Sequence, residues 1–148
     1  MSNSSRLITK QAGAMAALAW PGRAQWKLPK LIKLGAWGTF LGGTALAASG
    51  VIEQADQLTS CTEPRKKAKL LTDGPYEVSR HPIYVGLLTA STGFAVLRRR
   101  VEPLIAVGIL AQVLHEKVDR EEAALHKKFG RKYRRYTART SRLIGKRD

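Results

Sequence analysis

The feature that most limits how this chain can fold is an uncharged run of nineteen residues, 34–52. Lys30 and Lys33 precede the run, and Glu53 follows it as the first acidic residue of the chain. A helix needs about 20 apolar residues to cross the hydrocarbon core of a bilayer, so the run is long enough to span. The sequence therefore predicts a transmembrane helix here.

Glycine is frequent in this predicted span. Gly38 and Gly42 form a small-xxx-small pattern, and Gly35 lies near the same helical face. Small residues on one face let the backbone of a second helix approach closely. The pattern predicts that this face packs against another helix.

Two shorter apolar runs, 83–97 and 103–114, are joined by the charged segment 98–102. At about 1.5 Å per residue, the first run reaches only about 22 Å, which is short of a hydrocarbon core of about 30 Å. The runs predict a helical hairpin whose turn arginines snorkel to the far interface. A buried hairpin of a soluble protein is the alternative. The second helix should continue beyond His115 and stop at Gly130.

The predicted fold class is all-α. It is an integral-membrane helical protein with one full span, a short helical hairpin and an interfacial C-terminal helix. Tyr133 and Tyr136, one helical turn apart, would anchor that last helix at the membrane interface. Residues 53–72 would be a polar, basic connector between the span and the hairpin.

The formal net charge of +15 favours an anionic membrane surface or a nucleic acid as partner. Nucleic acid is not expected, because it does not explain an uncharged run of nineteen residues and the chain has no recognisable nucleic-acid motif. Twelve of the 26 Lys and Arg residues follow Leu114. The positive-inside rule would place this basic end on the cytoplasmic or matrix side.

Residues 1–30 form a separate N-terminal region that is basic and has no acidic residue. Its composition is typical of an organelle-targeting segment. Alternatively, it is an amphipathic helix that lies on the membrane. That helix would turn the following side chains inward: Leu7, Ile8, Met15, Leu18 and Trp20. Residues 31–148 would form the main membrane domain, in a mitochondrial membrane if the protein is eukaryotic, with the endoplasmic reticulum or a bacterial inner membrane as alternatives.

Polar and aromatic residues are concentrated at the start of the predicted hairpin, in residues 73–86. Proline disfavours helical conformation at the residue before it, so His81 should be extended, and Pro82 suits the first helical position. Arg80, His81 and Tyr84 should therefore meet at a helix N-terminus. Such a terminus favours a ligand carboxylate or phosphate.

The motif Gly74-Pro75-Tyr76-x-x-x-Arg80-His81-Pro82-x-Tyr84-x-Gly86 resembles the signature of the isoprenylcysteine carboxyl methyltransferase and phospholipid methyltransferase superfamily of integral-membrane enzymes. A second motif of that superfamily is matched by Glu121-Glu122-x-x-Leu125-x-x-x-Phe129-Gly130-x-x-Tyr133-x-x-Tyr136. The resemblance covers roughly residues 34–144. Gly145 stands where the family usually has a proline, and the helices that normally precede the first motif are reduced.

This resemblance implies a methyltransferase that uses S-adenosylmethionine and acts on a lipid or lipidated acceptor. It implies cofactor contact for His81, Tyr84, Gly86, Glu121 and Glu122, and a catalytic, substrate-orienting role for Arg80. It also implies that glycines of the span leave space for the cofactor. No metal site is predicted, since His115-Glu116-x-x-Asp119 lacks the second histidine of a zinc-protease helix.

The alternative is a catalytically inactive accessory subunit that keeps the fold within a larger membrane complex. Arg80 would then only tie the loop to Glu121 or Glu122 through a structural ion pair. This alternative predicts a filled or obstructed cavity between the loop and the two glutamates.

Overall fold

A computed structural model describes residues 3–59 and 70–143, and the centre of the polar connector and Gly145 lie outside these ranges. The described residues form helices and no strand, which confirms the all-α prediction. The six helices are α1 (Asn3–Ala19), α2 (Lys30–Thr59), α3 (Pro75–Val78), α4 (Pro82–Arg98), α5 (Val101–Phe129) and α6 (Arg131–Thr137).

Helix α2 contains the predicted span. Within the described residues, it is the one helix long and apolar enough to cross a membrane, over Lys30–Ala55. Large apolar side chains such as Leu34 and Leu41 point away from the rest of the protein and are exposed. An outward apolar surface of this kind is what a lipid-facing helix requires.

Helix α4 is the centre of the bundle, with α2 on one side and α5 on the other, and α1 packs mainly along α5. Helices α2 and α4 are antiparallel, because Gly93 of α4 lies against Ala36 while Pro82 and Ile83 lie against Gly50. The molecule thus has two ends. The loop end holds α3 and the start of α4, and the turn end holds the α4–α5 connection.

The α2–α4 contact is made by glycines, but not by the predicted ones. A Cβ atom on Gly43 would lie 2.3 Å from the backbone nitrogen of Ala90, and one on Gly86 would lie 2.4 Å from that of Ala47. Gly35, Gly38 and Gly42 have nothing within 4 Å of their Cβ positions, so the prediction that their face packs against a helix is wrong. Helix α2 carries small residues on two faces, and only the tertiary fold selects between them.

The predicted hairpin is confirmed as α4 and α5, joined through Arg99 in the left-handed region with φ 56°. Two arginines at this turn also bind the segment that follows α1. Arg98 and Arg100 both donate to the backbone carbonyl of Trp20, at 2.6 and 3.1 Å. The amide of Gln25 in turn donates to the carbonyl of Arg99 at 2.9 Å. The hairpin turn therefore holds the segment that joins α1 to α2.

Helix α1 packs into the bundle. Leu7, Ala14 and Leu18 are buried, and the last two belong to the hydrophobic core together with residues of α4 and α5. The prediction that the apolar face of α1 lies on a membrane is wrong for Leu7 and Leu18, which are buried against the protein because α1 presents a narrow stripe to α5. Ile8, Met15 and Trp20 are exposed, and a membrane contact for these three side chains stays a prediction. A targeting role for residues 1–30 and their separation from residues 31–148 stay predictions.

Helix α5 is about 43 Å long by its 29 residues, so it extends well beyond the start of α4. It ends at Gly130 with φ 49°, as predicted. Helix α6 then folds back, and Tyr133 and Tyr136 are 0% and 8% exposed. The prediction that these tyrosines anchor the chain at a membrane interface is wrong. They pack inside the protein, where the Tyr136 hydroxyl donates to the carbonyl of Tyr76 at 2.6 Å.

Candidate active site

The loop before α4 has the predicted backbone. His81 is non-helical with φ −132°, and α4 begins at Pro82. The amide of His81 donates to the Ser79 hydroxyl at 3.1 Å, and that hydroxyl donates to the carbonyl of Arg142 at 3.3 Å. The buried Ser79 thus fixes the extended step that presents Arg80 and His81.

Two glutamates of α5 meet this loop. The Arg80 Nε atom lies 2.9 Å from Glu122 Oε1, and the same oxygen lies 3.3 Å from His81 Nε2. Glu121 Oε2 lies 3.8 Å from His81 Nδ1. Two motifs about forty residues apart in the sequence therefore converge on one point, as predicted.

Arg80 is 8% exposed and holds three parts of the chain together. Besides its ion pair with Glu122, its Nη1 atom donates to the carbonyls of Thr137 and Thr140 at 3.3 and 3.2 Å. Its backbone amide donates to the carbonyl of Ser141 at 2.9 Å. A buried guanidinium needs such a set of acceptors to offset its desolvation.

His81 is buried beside two carboxylates. Burial lowers its pKa from the usual value, and the net shift stays downward although Glu121 and Glu122 each act to raise it. The imidazole is therefore neutral near pH 7. Because Glu122 is an acceptor 3.3 Å from Nε2, the hydrogen of the neutral ring is assigned to Nε2, which leaves Nδ1 as an acceptor.

Tyr84 extends the site along α4. Its ring stacks on His81 with centroids 5.7 Å apart and an interplanar angle of 12°. The ammonium of Lys117 lies 5.1 Å from the centre of the Tyr84 ring and also donates to Gln11 of α1 at 2.9 Å. Lys117 and Gln11 were not among the predicted site residues. A sequence signal did exist for Lys117, which lies one helical turn before Glu121 on the same face of α5.

Gly86 does not join this group. It lies in the α2–α4 contact, where a Cβ atom would meet the backbone of Ala47 and Gly43. Close helix packing accounts for the glycine at this position, and a cofactor contact for Gly86 stays a prediction.

An open cleft of about 390 Å³ borders the Arg80–Glu122 pair on the side of α6. It is also lined by His126, Thr137 and Ala138, which the sequence analysis did not identify. The volume is within the range of small-molecule pockets, roughly 300–1,000 Å³. The accessory-subunit alternative predicted a filled cavity between the loop and the glutamates, and there Arg80 and Glu122 are in direct contact, while the open space lies to one side of the pair.

A second arginine closes the network around the glutamates. Arg142 lies 3.5 Å from Glu122 Oε2 through its Nε atom and also pairs with Asp119. The Arg142 guanidinium holds the pKa of the exposed Asp119 carboxyl below its usual value. Glu122 is therefore in contact with three basic side chains, and Glu121 with one.

The similarity to known proteins lies in the part of the chain that forms this site. The sequence model of the family described as phospholipid methyltransferase matches residues 31–132. The chain is 31% identical over 100 residues to Protein-S-isoprenylcysteine O-methyltransferase B of Arabidopsis thaliana, which is 66% of this chain and 51% of that protein. The chain thus spans about half the length of the curated relative that it matches. No solved structure gives a significant match.

The matched residues 31–132 contain α2 except for its first residue, the loop with Arg80 and His81, and both glutamates of α5. This is well over half of the chain, and it contains the side chains that converge at the candidate site. The chain therefore belongs to the phospholipid methyltransferase family, within the superfamily that also contains the isoprenylcysteine carboxyl methyltransferases.

Proposed function

We propose that the protein is a membrane-embedded methyltransferase that transfers a methyl group from S-adenosylmethionine to a lipid or lipidated acceptor. The observation that carries this proposal is the convergence of Arg80 and His81 with Glu121 and Glu122 beside an open cleft. Family membership supports the reaction type, and the exposed apolar surface of α2 supports an acceptor that arrives from the bilayer.

The side chains present fit the chemistry of the cofactor. The amino-acid end of S-adenosylmethionine carries a carboxylate and an ammonium, and the cleft is bordered by one guanidinium and one carboxylate, those of Arg80 and Glu122. Charge-assisted hydrogen bonds from these two groups would hold that end. His81, Tyr84 and Glu121 do not line this cleft, so a nucleoside that extends from it would have to pass Arg80 and Glu122 to stack on the Tyr84 ring next to His81, with Glu121 as an acceptor for ribose hydroxyls.

The protein then has to align and shield the reactants. When bound, S-adenosylmethionine supplies an activated methyl group. The buried loop residues Ser79, Arg80 and His81 form a rigid wall, which favours a fixed alignment of donor and acceptor and the exclusion of water. Arg80 would orient the acceptor as well as hold the cofactor. A carboxylate acceptor needs no general base, because it is already ionised.

The site would lie at the edge of the bilayer. Gly50, two residues before the end of the uncharged run, packs against Ile83, and the Tyr76 hydroxyl lies 3.5 Å from the Gly50 carbonyl. The loop is therefore level with the end of the predicted span. A lipid acceptor could present its polar group at this height while its chains remain among the exposed apolar faces of α2 and α5. The basic, acid-free residues 1–30 support a mitochondrial membrane as the location.

One observation favours the accessory-subunit alternative. Arg80 and Glu122 already satisfy each other, with side chains only 6% and 17% exposed, as expected of a purely structural ion pair. In that case the protein would serve within a larger membrane complex without binding the cofactor.

Calorimetric titration of the full, detergent-purified chain with S-adenosylmethionine separates the two functions. The enzyme predicts saturable binding that Glu122→Gln weakens by about 10- to 100-fold, because charged hydrogen bonds contribute about 1.5–3 kcal/mol. His81→Ala should weaken binding as well. Glu77→Gln is the matched control, since Glu77 is exposed on α3 and the change in charge is the same. Absence of heat from the unaltered chain would reject the enzyme, and equal binding by all variants would reject this site.

A further inference from the structure

The last part of the described chain carries a dense, uncompensated positive charge. Residues 123–143 contain eight Lys or Arg residues and no acidic residue. One of the eight, Arg142, pairs with Asp119 and Glu122. The other seven are all exposed. We call them the cationic platform: Lys127, Lys128, Arg131, Lys132, Arg134, Arg135 and Arg139.

The platform is held rigidly against the body of the protein. Its helix α6 is anchored through the buried rings of Tyr133 and Tyr136, and the edge of Tyr133 packs on His126 at 4.6 Å between centroids. Arg80 holds the chain after α6 through the carbonyls of Thr137 and Thr140. At 3.6 residues per turn, burial of positions 133 and 136 turns positions 131, 134 and 135 outward.

No acidic side chain among the described residues forms an ion pair with a member of the platform. The carboxylates at this end of α5 are used elsewhere, since Glu122 binds Arg80, Glu121 lies against His81, and Asp119 binds Arg142. Like charges fixed side by side repel each other, and a multivalent anionic partner relieves that repulsion.

The position of the platform relative to the end of the predicted span indicates which anion it binds. Tyr136 donates to the carbonyl of Tyr76, and the Tyr76 hydroxyl lies 3.5 Å from the Gly50 carbonyl near the end of the uncharged run. Through Tyr76, helix α6 is therefore held close to the point at which α2 would leave the hydrocarbon core. Lipid phosphates occupy that level in a bilayer.

We propose that the cationic platform binds the headgroups of anionic phospholipids in the membrane that houses α2. Guanidinium groups suit this partner, because their fork of donors matches phosphate oxygens in pairs. A free nucleic acid or an acidic protein would need to reach the headgroup layer from solution, whereas lipid phosphates are already there. The proposal does not depend on methyl transfer.

Native mass spectrometry of the full chain in detergent, with short-chain lipids added, tests the proposal. The unaltered protein should bind dioctanoyl phosphatidylglycerol at least about tenfold more tightly than dioctanoyl phosphatidylcholine, which has the same chains. The triple variant Arg131→Gln, Arg134→Gln, Arg135→Gln should lose that preference. The control Arg23→Gln, Lys27→Gln, Lys30→Gln removes three exposed charges before and at the start of α2 and should keep it. Circular dichroism checks that both variants are folded.

Four results would overturn the proposal. Equal binding of the two lipids by the unaltered chain would show that the platform does not recognise the headgroup charge. An equal loss in both triple variants would show that only net charge matters. Full competition by free glycerol phosphate would assign the platform to a soluble anion. The same conclusion would follow if the platform bound a single-stranded oligonucleotide and the chain showed no preference for the anionic lipid.

Discussion

The carboxylate of Glu122 offers the strongest test of how the loop and α5 are joined. One of its oxygens contacts Arg80 and His81, and the other lies 3.5 Å from Arg142. Glu121, its neighbour on the same helix, lies 3.8 Å from His81 and also interacts with the Tyr84 hydroxyl, and its side chain is 45% exposed. The substitutions Glu122→Gln and Glu121→Gln change the charge equally, so the structure predicts very different losses of stability.

The expected magnitude follows from burial. Removing one partner of a buried ion pair costs about 3–5 kcal/mol, because the other charge is left without compensation. The Glu122 side chain is 17% exposed, and glutamine keeps one acceptor oxygen, so we expect Glu122→Gln to lower the free energy of unfolding by about 2–3 kcal/mol. Glu121→Gln should cost about 0–1 kcal/mol, as for exposed pairs.

Denaturation of the detergent-solubilised chain by sodium dodecyl sulfate, followed by helical circular dichroism, measures both values. A double-mutant cycle between Glu122→Gln and Arg80→Gln should give a coupling energy of about 1–3 kcal/mol. Equal losses for the two glutamates, or a coupling energy near zero, would refute the idea that Glu122 joins the two motifs.

Three further predictions use the same preparation. Gly86→Ala should lower the free energy of unfolding by about 1–3 kcal/mol, since the new methyl group would meet the backbone of α2, whereas Gly38→Ala, in open space, should raise it by about 0.5–1 kcal/mol; similar effects at both positions would contradict the packing. Burial lowers the folded-state pKa of His81, so the unfolded chain binds a proton at this residue more readily than the folded chain does. The free energy of unfolding should therefore fall as the pH drops below about 6.5, and His81→Gln should flatten that dependence. The same pH dependence in His81→Gln as in the unaltered chain would contradict this prediction. Arg100→Gln should speed hydrogen exchange at the Gln25 amide, which is bonded to the hairpin turn, and an unchanged rate would show that the arginine does not hold the connector.

Local signals in the sequence predicted the elements that depend on local chemistry. The uncharged run predicted α2, Pro82 predicted the start of α4, and Gly130 predicted the end of α5. The meeting of the loop with Glu121 and Glu122 was predicted through resemblance to a family. Charge spacing alone does not bring residues forty positions apart together.

Features that depend on the choice between equivalent faces were not predictable. Helix α2 has small residues on two sides, and only the packing of α4 shows that Gly43, rather than Gly38, lies in the contact. A tyrosine pair one turn apart has the same pattern whether it faces a lipid interface or a protein core, so the burial of Tyr133 and Tyr136 required the fold. The same is true of Gln11, which only the packing of α1 brings next to Lys117, and of the cleft beside His126, which only the packing of α6 forms.

The direct backbone contact between α2 and α4 has a mechanical consequence. The backbones of Gly43 and Gly86 pack directly against the facing helix, with no side chain of their own in between. We therefore expect α2 and α4 to tilt together as one rigid body. A bilayer whose hydrocarbon thickness differs from the apolar length of this helix pair changes the tilt of the pair. The depth of the loop with Arg80 and His81 relative to the membrane surface then changes as well. Host-membrane thickness would thus set how deeply an incoming lipid must reach to meet the loop.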